Sequence, residues 1–219
     1  MAAYNADRKK LSFFALKAKT SDTDPSPYFG LNTNDGNGWK ITDKFNSIKG
    51  HLVGIAHSTY EYEGQTKNKM ELRLQDDDGA MNVVGANFSY LVYSLLNSLA
   101  SIEKPDLIDM RVYLAKAKVS EGKTGKQFPG IVIKNNNQDV KWKYQYDELP
   151  KAEEIEFKGK KIYDDEKVIA FWKDVIENQI KPKLRAPLDA AEHIEAQSET
   201  EGTPPPDVLA HTTPDDLPF

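Results

Sequence analysis

The stretch Lys69–Ile102, KMELRLQDDDGAMNVVGANFSYLVYSLLNSLASI, holds a hairpin and a helix in one run and decides the fold class. Over Lys69–Gln75 the residues Met70, Leu72 and Leu74 point to one side of an extended chain. Glu71, Arg73 and Gln75 point to the other, the period of a strand with one buried face. Asp76-Asp77-Asp78-Gly79 is a hairpin-turn signal, and Ala80–Gly85 is the returning strand. The period then changes. Phe88, Leu91, Val92, Leu95, Leu96, Leu99 and Ile102 recur at three- and four-residue spacing, the stripe of an amphipathic helix. Asn87 is suited to cap its N-terminus, and Pro105 lies just past its end.

Working outward toward the N-terminus, Lys9–Lys19 has strand character and Thr20–Gly38 is dense in loop-forming residues. Trp39–Ile41 reads as a short strand and Ile48–Glu63 as a long one. Gly50 and Gly54 inside that long strand suggest a bulge or a sharp bend. Toward the C-terminus, Leu107–Val119 returns to strand character and Ser120–Gln127 is a basic, glycine-flanked loop. Phe128–Lys134 and Val140–Tyr146 are strands around an Asn135-Asn136-Asn137 turn. This order predicts a mainly β protein with added helices, built as a five-stranded Greek-key barrel of the OB type with its helix between strands three and four. Ile155–Ile162 forms a hairpin through Lys158-Gly159-Lys160, and a second helix spans 164–181, with Pro182 at its end. The domain is expected to cover 1–188. From 189 to 219, acidic, small and proline residues replace apolar periodicity, so a disordered tail is expected.

Charge is segregated along the chain. Net charge is −5, yet Asp189, Glu192, Glu195, Glu199, Glu201, Asp207, Asp215 and Asp216 all fall in 189–219, which holds no Lys or Arg. Positions 1–188 therefore carry 29 basic and 26 acidic residues, a net of +3. No cysteine is present, which excludes disulfides and thiolate ligands. The start of the chain has neither the basic nor the apolar part of a secretory signal, and the apolar run at Leu91–Leu96 is too short to span a bilayer. A soluble, cytoplasmic protein without membrane contact is expected. His51, His57, His193 and His211 make no metal-ligand pattern, and Gly122–Gln127 fails the spacing of a phosphate loop, so neither a metal nor another cofactor is expected.

The most specific motif is the tip Asp215-Asp216-Leu217-Pro218-Phe219, an aromatic residue braced by proline behind two carboxylates. This layout resembles the bacterial and bacteriophage single-stranded DNA-binding proteins, in which an OB domain precedes an acidic linker and a tip of the type Asp-Asp-Xaa-Pro-Phe. The close likeness covers the tip, and the order of elements extends it over about 40–150. Extra N-terminal sequence and the added helix depart from the typical short bacterial member, so a bacteriophage or otherwise divergent member is expected. The resemblance implies sequence-tolerant binding of single-stranded DNA, no catalysis, and a tip that recruits replication, recombination and repair proteins.

Interleaved aromatic and basic residues fit that expectation, because rings stack on unpaired bases and cations neutralise phosphates. The candidates are Trp39, Tyr60, Tyr62, Lys67, Lys69, Arg73, Tyr113, Lys116, Lys118, Lys123, Lys126, Phe128, Lys141, Trp142 and Lys143. Val140, Trp142, Tyr144 and Tyr146 share one face of their expected strand, so Trp142 reads equally well as core. Two other readings stand beside this one: an OB-like protein-interaction adaptor, and a metal-dependent nuclease using Asp76–Asp78.

Overall fold

The computed structural model describes residues 11–21, 23–34, 36, 38–116, 127–157 and 160–184. Its centre is the strand β4 (Ser47–Tyr62), preceded by β1 (Leu11–Lys17), β2 (Tyr28–Asn34) and β3 (Trp39–Phe45). After it come β5 (Gln65–Gln75), β6 (Met81–Asn87), α1 (Tyr90–Ser101), β7 (Leu107–Lys116), β8 (Gln127–Asn135) and the two-residue β9 (Gln138–Asp139). All nine strands form one mixed sheet in the order β3-β2-β1-β6-β5-β4-β7-β8-β9. Neighbours are antiparallel except β1 and β6, which run parallel from Leu11↔Met81 to Ala15↔Gly85. A separate hairpin of β10 (Glu153–Phe157) and β11 (Lys160–Asp164) leads into α2 (Glu166–Val175). The chain then continues through a π turn at Ile176–Ile180 and a 3-10 turn at Lys181–Lys183. None of these helices is long and apolar enough to cross a membrane.

β4 changes partner along its length. Ser47–His51 pairs with β7, and His51–Tyr62 pairs with β5. Where the ladders meet, a bulge lies between Leu52 and Gly54. Gly50 is required at this corner, because a Cβ there would meet Leu74 Cβ at 3.0 Å and the Gln75 carbonyl oxygen at 3.2 Å. His51 clamps the same corner: its Nδ1 bonds Asp106 at 2.8 Å and its Nε2 bonds Asp77 at 3.0 Å. These two bonds join β4 to the β5–β6 turn and to the start of β7. Hydrogen bonding to the Asp106 carboxylate first, then to Asp77, raises the imidazole pKa above its ordinary value.

Local turn chemistry sets the registers. Glu63 and Gly64 both have positive φ (50° and 74°) between the paired Tyr62 and Gln65, as a two-residue hairpin turn requires. Asn136 and Asn137 do the same between β8 and β9, at 51° and 64°. In the Asp76–Gly79 turn the acids are all engaged: Asp76 accepts from Asn82 Nδ2, Asp77 from His51 Nε2, and Asp78 from the Ala80 amide.

The inner face of the curled sheet is apolar. Leu16, Phe29, Ile48, Leu52, Met70, Leu72, Leu74, Val84, Ile108, Met110 and Ile133 are buried there with the stripe Leu91, Val92, Leu95, Leu96 and Leu99 of α1. Side chains of this size each contribute about 1.5–3 kcal/mol when fully buried. Lys183 Nζ donates to the carbonyls of Ala100 and Ile102, at 3.0 Å each, where the C-terminal end of a helix favours a cation. α2 packs the buried Trp172 against Tyr93, ring to ring at 5.9 Å. Asn97, buried on α1, holds the segment after β9: its Oδ1 accepts from the amides of Lys143 and Tyr144, and its Nδ2 donates to the Tyr144 carbonyl.

Several sequence expectations need correction. The protein is mainly β, but the sheet is open rather than a closed five-stranded barrel: β1 occupies the edge of β6. β2 lies inside the stretch expected as loop, because Phe29 within it is fully buried despite its polar surroundings. Val140–Tyr146 is not a strand; α1 captures its backbone through Asn97 and Ser101. The α1 N-cap is Ser89, not Asn87, whose side chain accepts a bond from Tyr60 instead. α2 begins at Glu166, and the π and 3-10 turns replace its expected last turns. The β10–β11 hairpin stands where expected, its turn lying outside the described residues. The tail 189–219 is also outside them.

Two measurements check this frame. Asn97→Ala deprives the Tyr144 amide of its acceptor and should cost about 2–3 kcal/mol in urea unfolding. The raised pKa of His51 means that its stabilisation is full below its ordinary value near about 6.5 and is lost as pH rises through the higher folded value. His51→Gln should therefore lower the melting temperature more at about pH 5.5 than at about pH 8.5.

Candidate nucleic-acid interface

Alternation along the strands fixes which residues share the outer face. Met70, Leu72 and Leu74 are buried on the inner side, so Lys67, Lys69, Glu71 and Arg73 face outward. Their partners across the ladder are Tyr60, Ser58, Ala56 and Gly54, which face outward with them. On the other side of β5, Lys69 sits opposite Asn87 and Arg73 opposite Val83. Five of the sequence candidates thus fall together on this face, Tyr60, Tyr62, Lys67, Lys69 and Arg73, while Trp39 stands on β3 at the far edge of the sheet, four strands from β5.

The geometry of this face is set by short hydrogen bonds and by glycine. Tyr60 Oη donates to Asn87 Oδ1 at 3.0 Å, which draws the side chain from β4 across β5 toward β6. Lys67 Nζ donates to Gln65 Oε1 at 2.6 Å, and Lys69 Nζ pairs with Glu71 at 2.6 Å. Arg73 lies over Gly54, where a Cβ would come within 3.1 Å of its Cδ. Lys69 likewise lies over Gly85, with Cε 3.2 Å from where a Cβ would stand. Glycines on the facing strands therefore let long cationic side chains rest flat on the backbone.

A second aromatic–basic end lies at the β7–β8 hairpin. Tyr113 is 44% exposed and lies over Gly130, its ring so close that a Cβ on residue 130 would meet Cζ at 2.5 Å. One ring face rests on backbone and the rest is open to solvent, a platform for stacking. Phe128, opposite Ala115, is half-buried on the same face, and Lys116 is exposed at the end of β7. Lys118, Lys123 and Lys126 fall in the segment 117–126, outside the described residues.

Lys141, Trp142 and Lys143 do not join this face. The Lys141 carbonyl accepts from Ser101 at the end of α1, and Lys143 Nζ donates to Gln179. Trp142 is 43% exposed, so it is not core, but it sits beside the helices and not on the sheet. Their expected strand alternation fails because helix contacts, not a ladder, orient this segment. The tip Asp215, Asp216, Leu217, Pro218 and Phe219 lies outside the described residues.

Residues that the sequence reading missed come from β1, β2 and β3. Phe13 packs edge-on against Trp39 at 5.6 Å, and Lys44 Nζ lies 4.7 Å above the Tyr28 ring. Lys17, opposite Tyr28, is buried. A lysine among apolar residues on the first strand was the available signal, and the absence of an expected β2 concealed its partner.

No family model, curated protein or solved structure matches the chain. The residues themselves define the class: a mainly β protein with an open mixed sheet whose outer face carries flat-lying aromatic and cationic side chains.

Gly130→Ala tests the platform. The clash is with the far end of the Tyr113 side chain, so the fold should survive with at most about 1 kcal/mol lost, the scale of a modest core adjustment. The Tyr113 ring resonances should nevertheless shift in aromatic NMR spectra as the ring leaves the backbone.

Proposed function

We propose that the chain is a single-stranded DNA-binding protein in which β4–β8, with α1 between the third and fourth of these strands, act as an open OB-type unit. The observation that carries this reading is the pair of aromatic–basic hairpin ends at opposite ends of β4. The β4–β5 end holds Tyr60, Tyr62 and Lys67; the β7–β8 end holds Tyr113, Lys116 and Phe128. OB folds bind oligonucleotides across the face bounded by the loops that follow their first and fourth strands. The β4–β5 turn and the segment 117–126, with Lys118, Lys123 and Lys126, hold those two positions in the chain order.

Binding proceeds by two physically separate effects. Tyr113 and Tyr60 offer ring faces to unpaired bases, and any base can stack, so recognition tolerates sequence. Lys67, Arg73 and the lysines of 117–126 neutralise phosphates and release counterions, whereas Lys69 is already paired with Glu71. None of this requires a bond to be made or broken, and the role is binding, not catalysis. The acidic stretch 189–219 competes with DNA phosphate for the same cations at high effective concentration. DNA displaces it, and Asp215–Phe219 becomes available to replication, recombination and repair proteins.

Fluorescence anisotropy of a labelled oligo-dT of about 20 nucleotides, longer than one OB fold covers, tests the reading. Affinity should fall linearly on a log–log salt plot, by about 0.7 in slope per phosphate neutralised. Tyr113→Ala should lose about 1–3 kcal/mol of binding, and removal of 189–219 should tighten binding at low salt. Salt-insensitive or undetectable binding overturns the proposal.

A further inference from the structure

The outer face of the β7–β8 hairpin continues past its aromatic end, in residues that the sequence reading did not single out. Ile108, Met110 and Val112 of β7 are buried, as are Ile131 and Ile133 of β8. Alternation therefore turns Asp109, Arg111 and Tyr113 outward, with Gly130, Val132 and Lys134 beside them. The registers set these as three adjacent rows: Tyr113 opposite Gly130, Arg111 opposite Val132, and Asp109 opposite Lys134.

The middle row differs from the last in charge. Asp109 lies between two lysines, Lys49 on β4 and Lys134 on β8, and Lys134 Nζ also stands 3.5 Å from Asp139. Arg111 lies between Ser47 and Val132, neither of which carries a charge. It is exposed, and among the described residues it makes no hydrogen bond or ion pair. Val132 is 46% exposed, an aliphatic side chain left open on a charged face. β9 pairs only with Lys134 and Asn135, so among the described residues no strand flanks Gly130 or Val132 at that edge. The patch is open from above the sheet and from its rim.

Tyr113, Arg111 and Val132 match the three parts of one nucleotide. The Tyr113 ring, resting on Gly130, takes a base by stacking. Arg111 stands two residues along the strand, about 7 Å at the rise of an extended chain, within reach of the phosphate joined to that base. Its planar fork offers two parallel N–H groups to two phosphate oxygens. Val132, opposite Arg111, presents apolar surface to the sugar between them. Asp109, one row further on, repels a phosphate and marks the end of the patch.

We infer that Tyr113, Arg111 and Val132 form a subsite for one nucleotide of single-stranded DNA, with Arg111 as its phosphate contact. The inference rests on the DNA-binding reading and names the partner of the Tyr113 stack.

The test measures oligo-dT anisotropy across a salt series for the full chain, for Arg111→Gln, Tyr113→Ala and their double variant, and for Val132→Asp, with thermal unfolding of each. Arg111→Gln should bind about tenfold more weakly, as loss of a charged hydrogen bond implies, with a salt slope shallower by about 0.7. Its melting temperature should match that of the unsubstituted protein, because an exposed side chain without a partner is replaced. Val132→Asp sets a carboxylate opposite Arg111, as Asp109 stands opposite Lys134, and should weaken binding at least as much. The double variant should lose less than the product of the two single losses, because both side chains hold the same nucleotide. Unchanged affinity for Arg111→Gln or Val132→Asp, while the unsubstituted protein binds, overturns the subsite and leaves the OB-face reading intact. Losses that multiply place the two residues on separate nucleotides and overturn it too, as does a clear fall in the melting temperature of Arg111→Gln. Failure of the unsubstituted protein to bind overturns both the subsite and the reading beneath it.

Discussion

A strand of sixteen residues that pairs with one neighbour over its first part and another over the rest must bend where the two ladders meet. In β4 that point is His51, shared by the β5 and β7 registers. Gly50 permits the approach of Leu74, the bulge at Leu52–Gly54 turns the strand, and two carboxylates from different loops fasten the imidazole. Each part of the sheet on either side takes its direction from this corner. The inner face then curls around Leu91–Leu99 of α1, and the outer face is left to the solvent-side residues of β5 and β6.

The two sides of the sheet are built on different physical rules. Inside, large apolar side chains interlock and the gain comes from area removed from water. Outside, glycines alternate with long or aromatic residues on the facing strand, so Arg73, Lys69 and Tyr113 lie flat instead of standing off the surface. A side chain pinned in this way loses less freedom on contact with a ligand, which is the advantage of a preorganised face. Lys17 and Asn32, whose Nζ and Oδ1 are buried with no partner among the described residues, belong to that outer side, where the strands of the N-terminal segment join β6.

Legibility in the sequence followed the range of the interaction. The Lys69–Ile102 stretch is read correctly in kind because period-two burial, the Asp76–Gly79 turn and the helical stripe are all local signals. The Asn136-Asn137 turn is equally local. β2 was obscured because its Gly30, Asn32, Thr33 and Asn34 look like loop, and the burial of Phe29 with the ladders to β1 and β3 makes it a strand. At 140–146 the alternating pattern is genuine in the sequence, but Asn97 and Phe171 compete for that segment and the helices win. For the candidate face, residue types were legible and their company was not: Lys67, Lys69 and Arg73 cluster, and Lys141 and Lys143 go elsewhere.

Composition and periodicity alone determined that charge is divided between a basic body and an acidic stretch, that the fold is mainly β, and that a helix separates one group of strands from the next. These follow from near neighbours along the chain, whose energies do not depend on what packs against them. Only the tertiary structure decided that the sheet stays open, with β1 parallel to β6 where a closing strand could have paired, and that Lys17 is buried with no hydrogen-bond partner among the described residues. Edge pairing and burial join residues about seventy positions apart, such as Phe14 and Val84, and no local pattern encodes which distant edge a strand will find.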